Sequence, residues 1–145
     1  MRINSRSRIA INAMLDVAEH GAHVPVALVT ISERLGVSLS YLEQLFRRLR
    51  QHGLVRSARG PGGGYQLNKR LSAISVADIV SVVDEDGKSA RASKRREVAA
   101  AFWERLDDHL IQYLGTITLD SVLQPADKSR PAAFAAPRER VLAAA

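Results

Sequence analysis

One stretch of the chain concentrates polar side chains suited to hydrogen bonding with a flat polyanion. Ser38, Ser40, Tyr41, Glu43 and Gln44 fall within one short segment, followed by Arg47, Arg48 and Arg50. Gln44 carries an amide that can pair bidentately with adenine, and Glu43 can accept from the cytosine amine or repel a nearby phosphate. Arg47 and Arg50 sit better for phosphates. Nine residues beyond Arg50, Arg59 precedes the run Gly60-Pro61-Gly62-Gly63-Gly64. A guanidinium beside a glycine tip can enter a narrow minor groove, where the negative potential attracts it. Pro61 would stiffen that tip, while Gly60 and Gly62 would let the backbone approach the sugar-phosphate wall. The run is no phosphate-binding loop of the nucleotide-hydrolase kind, because it lacks the following Lys-Ser/Thr and does not open a helix.

Charge points the same way. Between Arg34 and Arg70 the cations are Arg34, Arg47, Arg48, Arg50, Arg56, Arg59, Lys69 and Arg70, and the only acid is Glu43. The chain of 145 residues has a formal net charge of +6. That balance favours a polyanionic partner, and binding through it would be strongly salt-dependent.

These residues need elements to present them. Ile9, Ala13, Leu15, Val17 and Ala18 predict an amphipathic helix from about Ser5 to His20, ended by Gly21. After Pro25, Leu28, Ile31 and Leu35 share a face of a segment running from Val26 to Leu35, stopped by Gly36. Ser38 then caps a helix from Leu39 to about His52, whose buried stripe is expected to be Leu39, Leu42, Leu45, Phe46 and Leu49. Ser40, Tyr41, Glu43, Gln44, Arg47, Arg48 and Gln51 would face outward. Two short helices about a glycine turn, the second with a polar outer face, make a helix-turn-helix. The short alternating segments LVRSAR and YQLNK around the glycine run predict a β-hairpin, which makes the unit winged. A further helix starts after Ser75, with Asp78 at the capping-box position and Val76, Ile79, Val80 and Val83 as its apolar face.

From Asp84 to Arg96 the periodicity vanishes and the segment reads as an exposed loop. A long helix from about Glu97 to Leu114 carries Val98, Phe102, Leu106, Leu110 and Tyr113 as a stripe, with Trp103 at its edge. That stripe is long for a small domain to cover alone and is the expected dimer element. Thr118 caps a last short helix through Leu123. The expected class is mainly α with a small β-hairpin wing: a winged helix-turn-helix plus a long dimerisation helix. The expected organisation is a winged helix-turn-helix DNA-binding domain over 1–84, a basic loop over 85–97, the dimerisation helix and short terminal helix over 98–123, and a disordered tail over 124–145.

Other chemistries fit poorly. There is no cysteine, hence no disulfide and no thiolate metal site. His20, His23, His52 and His109 stand at helix ends, in loops or on the long helix, and no Ser/His/Asp set or carboxylate pair accompanies them. No metal site and no catalytic role are expected. Polar residues interrupt the basic-apolar N-terminus, so it does not read as a secretory signal, and nothing reaches the length of a membrane span. A cytoplasmic protein without membrane association is expected. A winged helix that binds protein is the remaining rival, and the concentrated like charge argues against it.

The stretches MRINSRSRIAINAMLDVA and ISERLGVSLSYLEQLFRRLRQHGLVRSARGPGGGYQL resemble the IscR-type regulators of the Rrf2 family, with LSYLEQLF and RGPGGGY the most specific parts. The likeness runs from Met1 to about Asp86 and returns from about Phe102 to Leu123. It implies a homodimeric winged-helix transcriptional regulator, expected to be a repressor, with a recognition helix in the major groove and a wing in the minor groove of double-stranded DNA. Ser38, Ser40, Tyr41, Glu43, Gln44, Arg59 and Pro61 match the family's contact positions. Many members also hold a [2Fe-2S] cluster through three cysteines and a histidine in the loop before the long helix. Here that loop, DEDGKSARASKRREVAAAFW, has neither residue type, and Ala92 stands near the first cysteine position. An iron–sulfur cluster needs thiolates, so none is expected here. The chain reads as a naturally cluster-free member; a cysteine-to-alanine variant of a cluster-binding regulator is the alternative, left open by Ala92 and Ala99 to Ala101. The basic stretch Lys88 to Arg96 is either a solvated linker or a place for an anionic effector or a protein partner, since Arg95 and Arg96 before a helix start oppose its macrodipole.

Overall fold

A computed structural model describes residues 3–90 and 100–124, with backbone alone for 85–90 and 100. Its elements follow in the order α1 (Ser5–His20), α2 (Leu28–Leu35), α3 (Leu39–Gln51), β1 (Val55–Ala58), β2 (Gly64–Leu67), a 3-10 turn (Leu71–Ala73), α4 (Val76–Ala90), α5 (Ala100–Thr116) and α6 (Leu119–Leu123).

The core follows from helical spacing. On α1, Ala10, Ala13, Met14 and Val17 are fully buried, and on α3 Leu42, Phe46 and Leu49 are fully buried with Leu45 nearly so. These meet Ile31 of α2, Leu54 and Val55 at the hairpin, and Ile79, Val82 and Val83 of α4 in one cluster. Each large aliphatic or aromatic side chain so buried contributes about 1.5–3 kcal/mol. Helix starts are set by local hydrogen bonds. Asn4 Oδ1 accepts from Ser7 N at 3.0 Å. Ser75 Oγ accepts from Asp78 N at 3.1 Å while Asp78 Oδ2 accepts from Ser75 N at 2.9 Å, the reciprocal box expected there.

The turn between α2 and α3 is locked from both sides. Gly36 takes φ 63°, left-handed backbone that glycine tolerates best. Val37 N donates to Ser32 O at 3.2 Å, and Ser32 Oγ donates to Val37 O at 2.6 Å. The two helices are held to α1 by an ion pair absent from any local pattern. Arg34 Nε and Nη2 donate to the two Asp16 carboxylate oxygens at 2.7 and 2.6 Å, and the Asp16 side chain is 8% exposed. Hydrogen bonding to Asp16 lifts the Arg34 pKa above its ordinary value.

The two strands pair antiparallel, Val55 with Leu67 through Ala58 with Gly64. A third piece joins them. Val26, expected inside α2, instead bridges Tyr65, with Val26 N donating to Tyr65 O at 2.9 Å and Tyr65 N to Val26 O at 2.8 Å. Helix α2 therefore starts two residues later than the apolar pattern implies, because the residue after Pro25 is spent on the sheet edge.

Two further expectations need correction. Leu39, assigned to the buried stripe, is 36% exposed: as the first residue of α3 it precedes the turn that packs on α2. The loop expected from Asp84 is helical as far as Ala90, so α4 crosses the 84/85 boundary. Acidic and small residues can propagate a helix once it is nucleated, so the loss of apolar period does not mark where α4 ends. Helix α6 belongs to the winged body: Leu119 is fully buried in the main core, its N–H donates to Ile74 O at 3.0 Å, and Ser75 bridges Thr118. Val98, Ala92, Arg95, Arg96 and the tail from residue 125 lie outside the described residues.

Candidate nucleic-acid interface

Helix α3 sorts its side chains by its period of about 3.6 residues. With Leu42, Leu45, Phe46 and Leu49 inward, Ser40, Glu43, Gln44, Arg47 and Arg50 emerge exposed on the opposite side. Ser38 is exposed and does local work as well, since its Oγ accepts from Tyr41 N at 3.3 Å to cap the helix. Tyr41 departs from the outward expectation. It is half-buried against the core and sits on one flank of the face with Arg48, which is also half-buried. The other flank carries Glu43 and Arg50, and Arg50 Nη1 donates to Ser57 Oγ of β1 at 3.4 Å. The hairpin therefore lies on that second side.

A ring contact fixes the hairpin to the helix. Phe46 of α3 and Tyr65 of β2 have centroids 4.9 Å apart at 55°. Gln66 Nε2 adds a bond to Gly21 O at 3.0 Å, tying β2 to the end of α1. The tip itself is fully outside: Arg59, Gly60, Pro61 and Gly62 are all exposed, and Gly60 and Gly62 take φ of 96° and 73°. Both require the left-handed backbone that a Cβ disfavours. Every proposed contact residue of α3 and the tip is thus solvent-facing except Tyr41, whose ring is partly covered.

The cation count shrinks on inspection. Arg34 faces Asp16, so its charge is matched, and Arg56 Nη2 donates to Gln66 Oε1 at 3.4 Å across the hairpin. The exposed face keeps Arg47, Arg50 and Arg59 around the single acid Glu43. Sequence reasoning did not single out the scaffold residues Asp16, Ser32, Val26 and Tyr65. The alternating segments LVRSAR and YQLNK about the glycine run signalled the hairpin, and nothing local signalled the bridge from Val26.

Helix α5 leaves most of its apolar surface uncovered. Phe102 is 60% and Trp103 52% exposed, Leu106, Ile111 and Tyr113 are also exposed, and Leu110 is half-buried. Its attachment is Leu114, packed with Val76 and Val80 of α4. Trp103 flanks the expected stripe, Ile111 is exposed on another face of the helix, and Phe102 and Trp103 stack edge to face at 5.2 Å.

The matched family spans nearly the whole described chain: residues 3–125 match the Rrf2 family, described as an iron-dependent transcriptional regulator. The chain belongs to the Rrf2 family. It is 48% identical over 130 residues to the HTH-type transcriptional regulator IscR of Pectobacterium atrosepticum, covering 85% of this chain and 79% of that protein. It is 44% identical to the corresponding IscR of Escherichia coli O9:H4, covering 97% and 94%. Among solved structures, IscR of T. potens superposes with a TM-score of 0.72 at 34% identity, covering 90% of this chain and 91% of that one. Oxidised CymR of Staphylococcus aureus gives 0.71 at 30% identity, covering 88% and 99%. This Rrf2 chain is a DNA-binding transcriptional regulator, and its relatives are regulators and not enzymes.

The iron named for the family finds no matching donor set here. The chain has no cysteine. Of its imidazoles, His20 Nδ1 donates to Asp16 O at 2.9 Å and His109 Nδ1 to Arg105 O at 2.7 Å. Among the described residues no group of three His, Cys, Asp or Glu side chains gathers at metal-binding distance. Thiolate ligation of an iron–sulfur cluster does not fit this chain. Of the basic stretch Lys88 to Arg96, residues 88–90 finish α4 and 91–96 lie outside the described residues. No helix among the described residues is long and apolar enough to cross a membrane.

Proposed function

We propose that this Rrf2 protein is a cytoplasmic homodimeric repressor that binds operator DNA without an iron–sulfur cluster. The outward face of α3 enters the major groove, where Ser38, Ser40, Tyr41, Glu43 and Gln44 meet base edges and Arg47 and Arg50 meet phosphates. The hairpin tip enters the adjacent minor groove with Arg59, flanked by Gly60, Pro61 and Gly62. The observation that carries this reading is the Phe46–Tyr65 contact at 4.9 Å, which makes the exposed helix face and the exposed tip one rigid unit.

Dimerisation runs through α5. Phe102, Leu106, Leu110 and Tyr113, with Trp103 at the edge, supply an apolar face that is largely exposed among the described residues; Val98, expected upstream on the same stripe, lies outside them. A two-fold pair places two α3 helices about 34 Å apart, or a multiple of it, along the duplex. A dimer seated across a promoter blocks polymerase access, and repression follows from occupancy alone.

The test is genome-wide mapping of bound DNA for the wild type and for Arg59→Ala, with a reporter fused to the most occupied promoter. Expected are palindromic sites, reporter expression that rises when the regulator is deleted, and reduced occupancy with relaxed A/T preference in the variant. Equal occupancy for both proteins removes the tip from the mechanism, and a reporter that falls on deletion replaces repression with activation.

A further inference from the structure

A helix in the major groove has a phosphate wall on each side, because the groove is only about 12 Å wide. On α3 the flank carrying Arg50 faces the hairpin, which meets one wall. The opposite flank carries Tyr41 and the half-buried Arg48 and faces the other wall. A cleft of about 250 Å³ opens there, lined by Arg6, Tyr41, Gln44, Leu45, Arg48 and Val83. Gln44 is shared between this cleft and the base-reading face, so the two are contiguous.

We infer that Arg6 of α1 is a backbone clamp, holding a DNA phosphate in this cleft against the wall opposite the hairpin. The inference rests on the DNA-binding reading above and adds a contact that it does not contain. Three features support it. Arg6 is exposed, and among the described residues no hydrogen bond or ion pair holds its guanidinium, so its charge stands unmatched. The floor of the cleft is apolar, from the buried Leu45 and Val83, and the rim is polar, which suits a deoxyribose face below and a phosphate above. Arg6 also lies in the first turn of α1, where the macrodipole favours an anion. Asp84, next to Val83, is a half-buried acid on the α4 side that is already engaged in an interaction of its own.

The position of Arg6 explains how a residue far from α3 in sequence joins its footprint. The buried spacing of α1 ends at Ser7, which accepts its place in the core through the Asn4 cap, and leaves Arg6 pointing out beside the start of α3. Arg6 carries no sequence information in this role. It sets how deeply and in which register α3 sits, so that Gln44 meets its base.

The experiment uses the full chain and a duplex bearing its mapped site, with a random duplex of equal length. Arg6→Gln and Arg6→Lys are compared with wild type by titration from low to high salt. Each phosphate contact contributes about 0.9 to the slope of log K against log salt. Arg6→Gln is expected to lower the slope by about 0.9 per protomer and to weaken binding about eightfold per protomer at 0.1 M salt, equally on both duplexes, that being the same slope carried over one decade from 1 M. Arg6→Lys is expected to keep the slope. An unchanged slope in Arg6→Gln overturns the clamp.

A second arm locates the phosphate. Single methylphosphonates are scanned along each half-site. Wild type is expected to weaken at one position per half-site to which Arg6→Gln is indifferent. Equal sensitivity of both proteins at every position overturns the inference. Replacing chloride by inorganic phosphate at matched ionic strength distinguishes a free-anion site: competition that needs Arg6, with a flat methylphosphonate scan, also overturns it. Failure of the wild type to bind either duplex at low salt would instead sink the DNA-binding reading itself, whereas wild-type binding with an indifferent Arg6→Gln sinks the clamp alone.

Discussion

Gly64→Ala should detach the hairpin from the body while leaving the helices folded. A Cβ built at Gly64 lies 2.3 Å from Val26 O, 2.4 Å from Val26 C and 2.8 Å from Ala27 N. All three are backbone atoms, so no side-chain rotation relieves the overlap. The only relief is to part β2 from Val26, which breaks the bonds Val26 N to Tyr65 O at 2.9 Å and Tyr65 N to Val26 O at 2.8 Å. Two such bonds contribute about 1 kcal/mol each, and leaving the groups of nearly buried Val26 unpaired raises the total to about 2–4 kcal/mol. Gly62 supplies the control. It also has positive φ, but nothing lies within 4 Å of its added Cβ, so Gly62→Ala costs only the left-handed penalty of about 1–2 kcal/mol. Thermal unfolding by circular dichroism should therefore fall about 3–5 °C per kcal/mol for a chain of this size, and clearly further for Gly64→Ala than for Gly62→Ala. DNA titration of Gly64→Ala below its midpoint should show weakened binding and lost A/T preference, as for a missing tip. A midpoint equal to that of Gly62→Ala, with A/T preference intact, would refute the claim that the Val26 bridge holds the hairpin against α3.

Other consequences follow from the same geometry. Ser38→Ala loses the cap to Tyr41 N and should destabilise the fold by about 1 kcal/mol, whereas Ser38→Asp, which restores the cap, should keep the wild-type thermal midpoint; equal midpoints for the two variants would remove the capping account. Leu106→Asp, placed in the exposed stripe of α5, should shift the protein from dimer to monomer by light scattering at micromolar concentration and leave its helical content unchanged. Gln44→Ala should weaken specific binding and relax preference at one position per half-site, which selection of sites from a random pool would read. Arg34→Met strands the carboxylate of Asp16, and a variant also carrying Asp16→Leu should recover much of the lost thermal stability, since an unpaired buried charge costs more than a matched apolar pair.

The parts of this molecule proposed to touch DNA were legible in the sequence because their signals are local. Ser38 caps within three residues, the apolar stripe of α3 repeats within one turn, and the glycine run announces a hairpin without reference to anything distant. The class, the outward α3 residues other than Tyr41 and Arg48, and both helix boundaries of α3 to within a residue followed from those signals alone. Leu39 failed because the period of a helix says nothing about where its neighbour stops covering it: the first turn of α3 projects past α2. Asp84 to Ala90 failed for the complementary reason. Apolar period is a signal of burial, and a helix can continue through residues that lack it, as the α4 backbone does to Ala90.

The scaffold that aims the face was illegible, and the cause is sequence distance. Asp16 and Arg34 are 18 residues apart and Gln66 and Gly21 are 45 apart, so no periodicity links them. Counting Arg34 among the cations offered to DNA was the direct result, because an arginine looks the same in sequence whether it faces a phosphate or an aspartate. The converse applies to Arg6. It sits outside the basic stretch from Arg34 to Arg70, yet the fold sets it in the cleft beside Gln44. Local charge density therefore overstates one end of the footprint and misses the other. A regulator of this kind has its base-reading chemistry coded in a dozen consecutive residues, while its hold on the backbone depends on tertiary contacts that assemble cations from separate helices.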